Sequence, residues 1–375
     1  MKQVEDGGPV LILSAASGAG HMRAADALVS AFSAHDVAAE HVEVLKYTNS
    51  VFRKVYSDLY LELVNKNPEV LRWVYNSLDR PWKFQKRRLA LDLLNTGPLV
   101  KLLKKERPPV AICTHFLPAE ILLYLKRRRK IDFRIGVVIT DFDAHAMWLF
   151  RGVDWYFVAC EETKVYLEKQ GIPPGTVHVT GIPVDPVFEG RKSREKERQR
   201  HGLDPNLTTI LVSVGGFGVG PMENIIRAID EVGHHVQIVV ICGKNAKLRE
   251  NMKKVKTRHP LHIVGFTTEM DSYMAASEFL VGKAGGLTSS EALARGLVLV
   301  VVNPVPGQEE RNCDHFLEEG AAIRCNNLPA LAYKIDTLLG DQWRLQRMQE
   351  NARRVGRPRA ASEVVSIVLG RERNR

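Results

Sequence analysis

The chain has 375 residues, room for two domains at about 100–200 residues each. Hydrophobic residues make up 45% and charged residues 26%, a balance that excludes a disordered, collagen-like or small disulfide-scaffold protein. The formal net charge is +10, but residues 46–130 alone hold 19 Lys+Arg against 7 Asp+Glu, so the basic excess is confined to one segment. Such a segment fits a polyanion, either nucleic acid or acidic lipid headgroups, and competes with the plainer reading of solvated helix faces.

Met1–Pro9 has no apolar stretch, so no secretory signal is read there. Val10–Leu13 then reads as a strand, followed by the small-residue turn Ser14–Gly20 and a helix from about Met22 to Ala34. Further strands are expected at Val42–Leu45, Val110–Cys113, Ile135–Ile139, Trp155–Val158 and Val177–Val179, with helices between them. A second set follows at Thr209–Val214, Val236–Cys242, His262–Val264, Phe279–Val281 and Val298–Val302. These short runs are uninterrupted rather than alternating, as in parallel strands covered on both faces. The longest apolar run is six residues (Trp155–Cys160 and Leu297–Val302), far short of the ~20 that a membrane span needs. Alternating strand and helix segments predict an α/β chain of doubly wound domains. The turn-prone Gly181–Pro186 and the charged stretch Arg191–Arg200 mark the junction. The expected domains are 1–185 and 206–340, with a linker over 186–205 whose end is the first exposed helix of the second half. The stretch 341–375 is read as two Arg-rich helices packing back toward the first domain. The five cysteines contain no Cys-x-x-Cys pair, which fits reduced thiols in a cytosol and offers no zinc spacing.

From Tyr47 to Arg88 the strand rhythm stops. Tyr56, Tyr60, Trp73 and Trp82 are interleaved with cations that include Arg87 and Arg88. Aromatic rings in the headgroup zone with cations on anionic lipid would explain this pattern. Burial of the rings in a core is the alternative. A single-stranded nucleic-acid platform ranks below both, because no nucleic-acid-binding signature accompanies it.

Gly18-Ala-Gly20-His21 lies where a strand feeds a helix, so the backbone can turn tightly and a histidine stands at the crevice where open α/β sheets bind ligands. His21 is therefore a candidate general base, against a purely structural role. The second half has its own glycine loop, Val214–Gly220, then Val264-Gly-Phe266, and then Lys283-Ala-Gly-Gly286-Leu-Thr-Ser-Ser-Glu291. Gly285, Gly286 and Thr288 can offer N–H and hydroxyl donors to a pyrophosphate, and Glu291 can accept from ribose hydroxyls. Pro306-Gly-Gln-Glu-Glu-Arg-Asn312 places Gln308 and Glu309 at another helix start, suited to reading a polyol. Asp141-Phe-Asp143 looks like a metal-binding pair, but no further cluster with metal spacing supports it, and no metal is expected. Asp143, His115 and His145 follow strands and are secondary candidates for facing the crevice.

Taken in this order, Gly18-Ala-Gly-His21, Gly215-Gly-Phe-Gly, Gly265-Phe, Lys283-Ala-Gly-Gly with Glu291, and Pro306–Asn312 resemble the monogalactosyldiacylglycerol synthase and processive diacylglycerol glucosyltransferase family, related to the N-acetylglucosaminyltransferase MurG. The resemblance covers roughly residues 8 to 340. It implies a GT-B fold of two Rossmann-like domains facing across a cleft, and inverting transfer from UDP-glucose or UDP-galactose to diacylglycerol without a cofactor or metal. By position it implies uracil near Phe266, ribose on Glu291, and pyrophosphate along Gly216, Phe217, Gly218 and Thr288 beside Lys283. Sugar hydroxyls would meet Gln308 and Glu309, and His21 would be the acceptor base, with Asp143 second. The segment 47–88, with Gly20, would hold the lipid acceptor and anionic membrane lipids on the inner face of the cell membrane, with no nucleic acid involved. Three departures leave the sugar open: Ser17 and Ala19 in the first loop, Phe217 in the second, and Glu309-Glu-Arg after Gln308. Two alternatives share the architecture: a UDP-N-acetylglucosamine transferase or 2-epimerase, and a non-enzymatic module that binds acidic lipid or nucleic acid.

Overall fold

The structure, a computed structural model, describes residues 8–16, 18–49, 68–83, 97–213 and 222–371. They form two compact units. The N-terminal unit runs to Pro186 and takes in Pro306–Gln308 and the residues from Pro358. The C-terminal unit holds Val187–Val305 and Glu309–Arg357.

In the N-terminal unit the strands are β1 (Val10–Ser14), β2 (Ala39–Glu43), β3 (Val110–Cys113), β4 (Arg134–Val138), β5 (Trp155–Val158) and β6 (Val177–Val179). They pair in parallel in the order β2-β1-β3-β4-β5-β6. Helices α1 (Ala19–Ser33), α2 (Pro68–Leu78), α3 (Gly97–Glu106), α4 (Phe116–Arg127) and α5 (Glu161–Lys169) connect or cover them. Alternate side chains of one strand serve opposite cores, as period-2 geometry requires. Leu11 and Leu13 join Leu99, Leu117 and Leu122 on one face, while Val10 and Ile12 join Ala25, Leu28 and Phe32 of α1 on the other.

The C-terminal unit opens with α6 (Arg194–Arg200) and has strands β7 (Thr208–Ser213), β8 (Val236–Ile241), β9 (Leu261–Val264), β10 (Phe279–Gly282), β11 (Val298–Val302) and β12 (Ala322–Cys325). Their order is β12-β11-β10-β7-β8-β9, again all parallel. The helices are α7 (Met222–Asp230), α8 (Ala246–Met252), α9 (Met270–Ala275), α10 (Gly286–Arg295), α11 (Gln308–Glu318), α12 (Leu331–Leu339) and α13 (Gln342–Val355).

Three helices differ from the sequence expectation in burial, placement or composition. Helix α6 is not simply exposed: Arg198 is buried, its guanidinium donating to both Glu278 carboxylate oxygens (2.6 and 2.7 Å) and to the carbonyls of Ala276 (3.0 Å) and Pro205 (2.9 Å). A planar fork with every arm engaged can be buried where a lone charge cannot. The segment 341–375 divides between the units. The Arg-rich α13 stays with the C-terminal unit, whereas α14 (Ala360–Val368) has no Arg and packs on α1 in the N-terminal unit. It buries Val364, Val365 and Val368 there, at about 1.5–3 kcal/mol each for full burial.

Candidate active site

Both sheets have a topological switch point, where the chain leaves one strand and returns on its other side. In the N-terminal unit it lies between β1 and β3, in the C-terminal unit between β7 and β10. Open α/β sheets bind ligands just beyond the carboxyl ends of the strands at such a point.

At the first switch point stands His21, in the first turn of α1 after the extended N-cap Gly18. Its Nδ1 lies 2.8 Å from the carbonyl oxygen of Thr114, the residue after β3. A carbonyl only accepts, so Nδ1 carries the proton and Nε2 carries the lone pair. The hydroxyl of Thr140, two residues past β4, lies 2.9 Å from the same Nδ1 and shares that N–H. Thr114 Oγ1 donates in turn to the carbonyl of His21 (2.9 Å). Among the described residues nothing bonds Nε2. Burial lowers the His21 pKa from 6.5 to about 4, against a smaller upward pull from the Thr114 carbonyl. The ring is therefore neutral near pH 7, in one tautomer, with its basic nitrogen outermost in the hydrogen-bond chain.

The other expected residues of this unit fall into two groups. His115 is buried, and its Nδ1 accepts from Leu117 N (3.1 Å) to cap α4, while its ring meets His21 edge-on at 4.7 Å. His145 is buried with both nitrogens engaged: Nδ1 accepts from Met147 N (3.1 Å) and Nε2 donates to the Tyr75 carbonyl of α2 (2.9 Å). The nitrogens of His145 thus serve as a cap and a tie, while His115 caps α4 through Nδ1 with its ring against His21. Asp143 is half-buried, three residues past Thr140. Gly20 is in the first turn of α1, beside His21. Trp73 is 70% exposed on α2, with Val70 exposed one turn before it. Trp82 is half-buried and packs against the core, with the Arg151 guanidinium 4.6 Å above it. Tyr56, Tyr60, Arg87 and Arg88 lie outside the described residues.

At the second switch point β10 ends on Gly282, beside Ser213 of β7. A Cβ at Gly282 would sit 2.1 Å from the Ser213 carbonyl oxygen, so only glycine lets the two strand ends close. The chain continues through half-buried Lys283 to the extended N-cap Gly285. Among the described residues no side chain caps α10, and Ser289 N makes the first intrahelical bond, to Gly285 O (3.0 Å). The amides of Gly286, Leu287 and Thr288 thus have no helical carbonyl behind them, a geometry that suits an anion. Glu291 is buried on the next turn. Asn312 of α11, buried, donates to the Ala284 carbonyl (3.0 Å) and ties α11 to this loop. Glu309 Oε2 accepts from Val305 N (2.6 Å), and Oε1 lies 3.8 Å from where a Gly285 Cβ would stand. Gln308 is the first residue of α11. Phe266 follows β9, 64% exposed, with the Lys244 ammonium 5.3 Å from its ring centre. The structure thus gathers Gly285, Gly286, Thr288, Glu291 and Glu309 around one helix start. Gly216, Phe217 and Gly218 lie outside the described residues. Among the described residues no three His, Cys, Asp or Glu side chains gather as metal ligands, and no helix is long and apolar enough to cross a membrane.

The sequence reading missed Thr114, Thr140 and Asn312, because a Thr after a strand or an Asn in a helix is too common to signal anything alone.

Two family profiles cover the chain: monogalactosyldiacylglycerol synthase over residues 21–184 and glycosyl transferases group 1 over residues 193–355. The processive diacylglycerol β-glucosyltransferase of Bacillus pumilus (strain SAFR-032) is 31% identical over 349 residues, 91% of this chain and 89% of that protein. The chain belongs to the diacylglycerol glycosyltransferase family. A Staphylococcus aureus (strain JH9) protein of the same name is 31% identical over 318 residues, 83% of this chain and 79% of the relative. Among solved structures, Acinetobacter baumannii MurG superposes with a TM-score of 0.62 at 16% identity, covering 96% of this chain and 99% of the other. A putative UDP-N-acetylglucosamine 2-epimerase from Listeria monocytogenes does so with 0.63 at 16% identity, covering 96% of each. The fold is therefore GT-B. Shared architecture does not separate transferase from epimerase, but family membership places this chain among the glycosyltransferases.

Proposed function

We infer that the protein transfers a hexose from UDP-glucose or UDP-galactose to diacylglycerol with inversion, at the inner face of the cell membrane. The single observation that carries the chemistry is His21, held in one tautomer with Nε2 unbonded among the described residues. In this reading the 3-hydroxyl of diacylglycerol gives its proton to Nε2 as its oxygen attacks the anomeric carbon. The bond from that carbon to the β-phosphate oxygen breaks on the opposite face, and UDP leaves with the electron pair. A positioned base contributes about 10²–10⁴-fold. The charge growing on UDP falls to backbone amides at Gly286–Thr288 and the Gly216–Gly218 loop, with Lys283 nearby, so no metal is invoked. Glu291 takes the ribose hydroxyls, Phe266 lies by the uracil, and Gln308 and Glu309 read the sugar. Asp143 stands second as base. The relatives' names support diacylglycerol as acceptor, and the exposed Trp73 supports contact with a lipid surface. Tyr56, Tyr60, Arg87 and Arg88 complete the proposed contact with anionic lipid.

The test is incubation with UDP-glucose or UDP-galactose and diacylglycerol liposomes, followed by mass spectrometry of the lipid. UDP release that requires diacylglycerol, with one or more hexoses on the lipid, is expected. Lipid-independent UDP release, or interconversion of free UDP-sugars, overturns the reading.

A further inference from the structure

Beneath α1 lies a second cluster of hydrogen-bonding side chains that the reaction above does not use. The face of β1 that α1 covers is apolar through Val10 and Ile12 and turns polar at Ser14, its last residue. His41 and Glu43 of β2 lie two apart, so they share that face. They stand in register with Ile12 and Ser14. Asp26 Oδ1 lies 2.6 Å from His41 Nδ1, and His41 Nε2 lies 2.6 Å from Ser14 Oγ. The carboxylate accepts, so Nδ1 carries a proton, and Nε2 is hydrogen-bonded to the serine hydroxyl. Ser14 Oγ also lies 3.0 Å from Met22 Sδ, next to His21 in α1. Glu43 Oε1 accepts from Ala16 N (3.2 Å) and Leu45 N (3.0 Å), so it braces the turn from the same strand.

An Asp–His–Ser row at these distances has the order of a hydrolytic triad. Ser14, however, is 0% exposed, and a nucleophile must reach its substrate. What the row does connect is three elements: the end of β1, the edge strand β2, and the first two turns of α1. These are the elements that carry the turn into His21. We propose that Asp26, His41 and Ser14 are positioning residues that hold the first turn of α1, so that His21 keeps Nε2 where the acceptor hydroxyl arrives. The proposal rests on His21 being the base. A shift of about 1 Å in a catalytic group costs up to ~10²-fold, so partial loosening reads as a drop in kcat with donor binding untouched.

The experiment measures kcat, KM for UDP-glucose and Tm for Ser14→Ala, His41→Leu, Asp26→Ala, Asp26→Asn and His21→Ala, together with ¹⁵N-histidine spectra of the His21 ring. Expected are a drop in kcat of about tenfold for Ser14→Ala and His41→Leu, and of a few-fold for Asp26→Ala, with KM unchanged. Asp26→Asn should restore kcat, because its carbonyl still accepts from His41. In Ser14→Ala the single His21 tautomer should give way to a mixture. Asp26 is 64% exposed, so its two variants decide the matter even where Ser14→Ala fails to fold. Wild-type kcat in Asp26→Ala and Ser14→Ala, or an Asn variant as slow as the Ala one, overturns the positioning role. Near-normal turnover in His21→Ala overturns the base reading instead, so the two failures are distinguishable.

Discussion

The two switch points solve different problems with one piece of architecture. Each has a strand, a tight turn and the first turn of a helix. In the N-terminal unit that first turn carries an imidazole, and residues past two neighbouring strands, Thr114 and Thr140, fix its proton on Nδ1. In the C-terminal unit the corresponding turn is Ala284-Gly285-Gly286, whose helix start has no side-chain cap and whose strand end requires a glycine. In the proposed mechanism the first arrangement would handle a proton and the second would face negative charge. Strand order determines where a ligand meets each sheet, and the residues of the turn determine what chemistry is done to it.

The sharpest way to break this comparison is to remove the imidazole. His21→Ala should lower kcat by at least ~10²-fold while UDP affinity, measured by calorimetry, stays within about twofold. The pH profile makes the same point without a mutation. In the proposed role His21 acts when neutral, and burial lowers its pKa to about 4. Protonation, and with it the loss of kcat/KM, should therefore occur near pH 4 rather than near 6.5, because the acid limb reports the free enzyme. An acid limb at 6.5, or near-normal turnover in His21→Ala, moves the base elsewhere, with Asp143 next.

The mirror-image change lies in the other unit. Glu291→Ala should weaken UDP binding about tenfold and leave vesicle binding intact, since a carboxylate lost from a ribose contact removes a charged hydrogen bond worth about 1.5 kcal/mol. Unchanged UDP affinity would detach α10 from donor binding.

What the sequence made legible follows from the same physics. Val110–Cys113, Trp155–Val158, Val177–Val179 and Val298–Val302 form strands at those residues, because a short β-branched or aromatic run buried on both faces admits little else. The edge strand β12 was missed: Arg324 and a half-buried pattern hide it. Strand β2 begins at Ala39 rather than Val42, and Val44–Tyr47 form a 3₁₀ turn, because the Glu43 carboxylate accepts from Leu45 N and ends the strand. Helix α1 starts at Ala19 instead of Met22. Glycine's poor helix propensity hid that start, and the shift places His21 inside the first turn. The glycine loops and His21 were visible as residue types at strand ends. Thr114 and Thr140 were not, since only strand order brings positions 93 and 119 residues away onto one nitrogen.

A smaller effect sharpens the proton half of the comparison. Thr140→Val keeps the shape of the side chain and removes one of the two acceptors of the Nδ1 proton. Thr114 still fixes the tautomer, so kcat should fall only about fivefold, the value of one ordinary hydrogen bond of about 1 kcal/mol. A loss as large as that of His21→Ala would mean that Thr140, not Thr114, sets the tautomer.

The smallest expected effect separates two tryptophans that the sequence placed in one membrane-facing group. Trp73 is 70% exposed on α2, with Val70 exposed one turn before it, whereas the half-buried Trp82 packs on the core beneath Arg151. A ring in the headgroup zone contributes binding but little fold stability, and a ring in a core does the reverse. Trp73→Ala should therefore lower affinity for anionic vesicles about threefold to fivefold, comparable to the ~1 kcal/mol that one basic residue contributes near such a surface. Its Tm and its turnover on detergent-dispersed diacylglycerol should hold. Trp82→Ala should lower Tm and leave vesicle affinity unchanged at temperatures where the protein stays folded. If the two variants exchange behaviours, lipid contact belongs to the surface around Trp82 and Arg151, and α2 is an ordinary solvated helix.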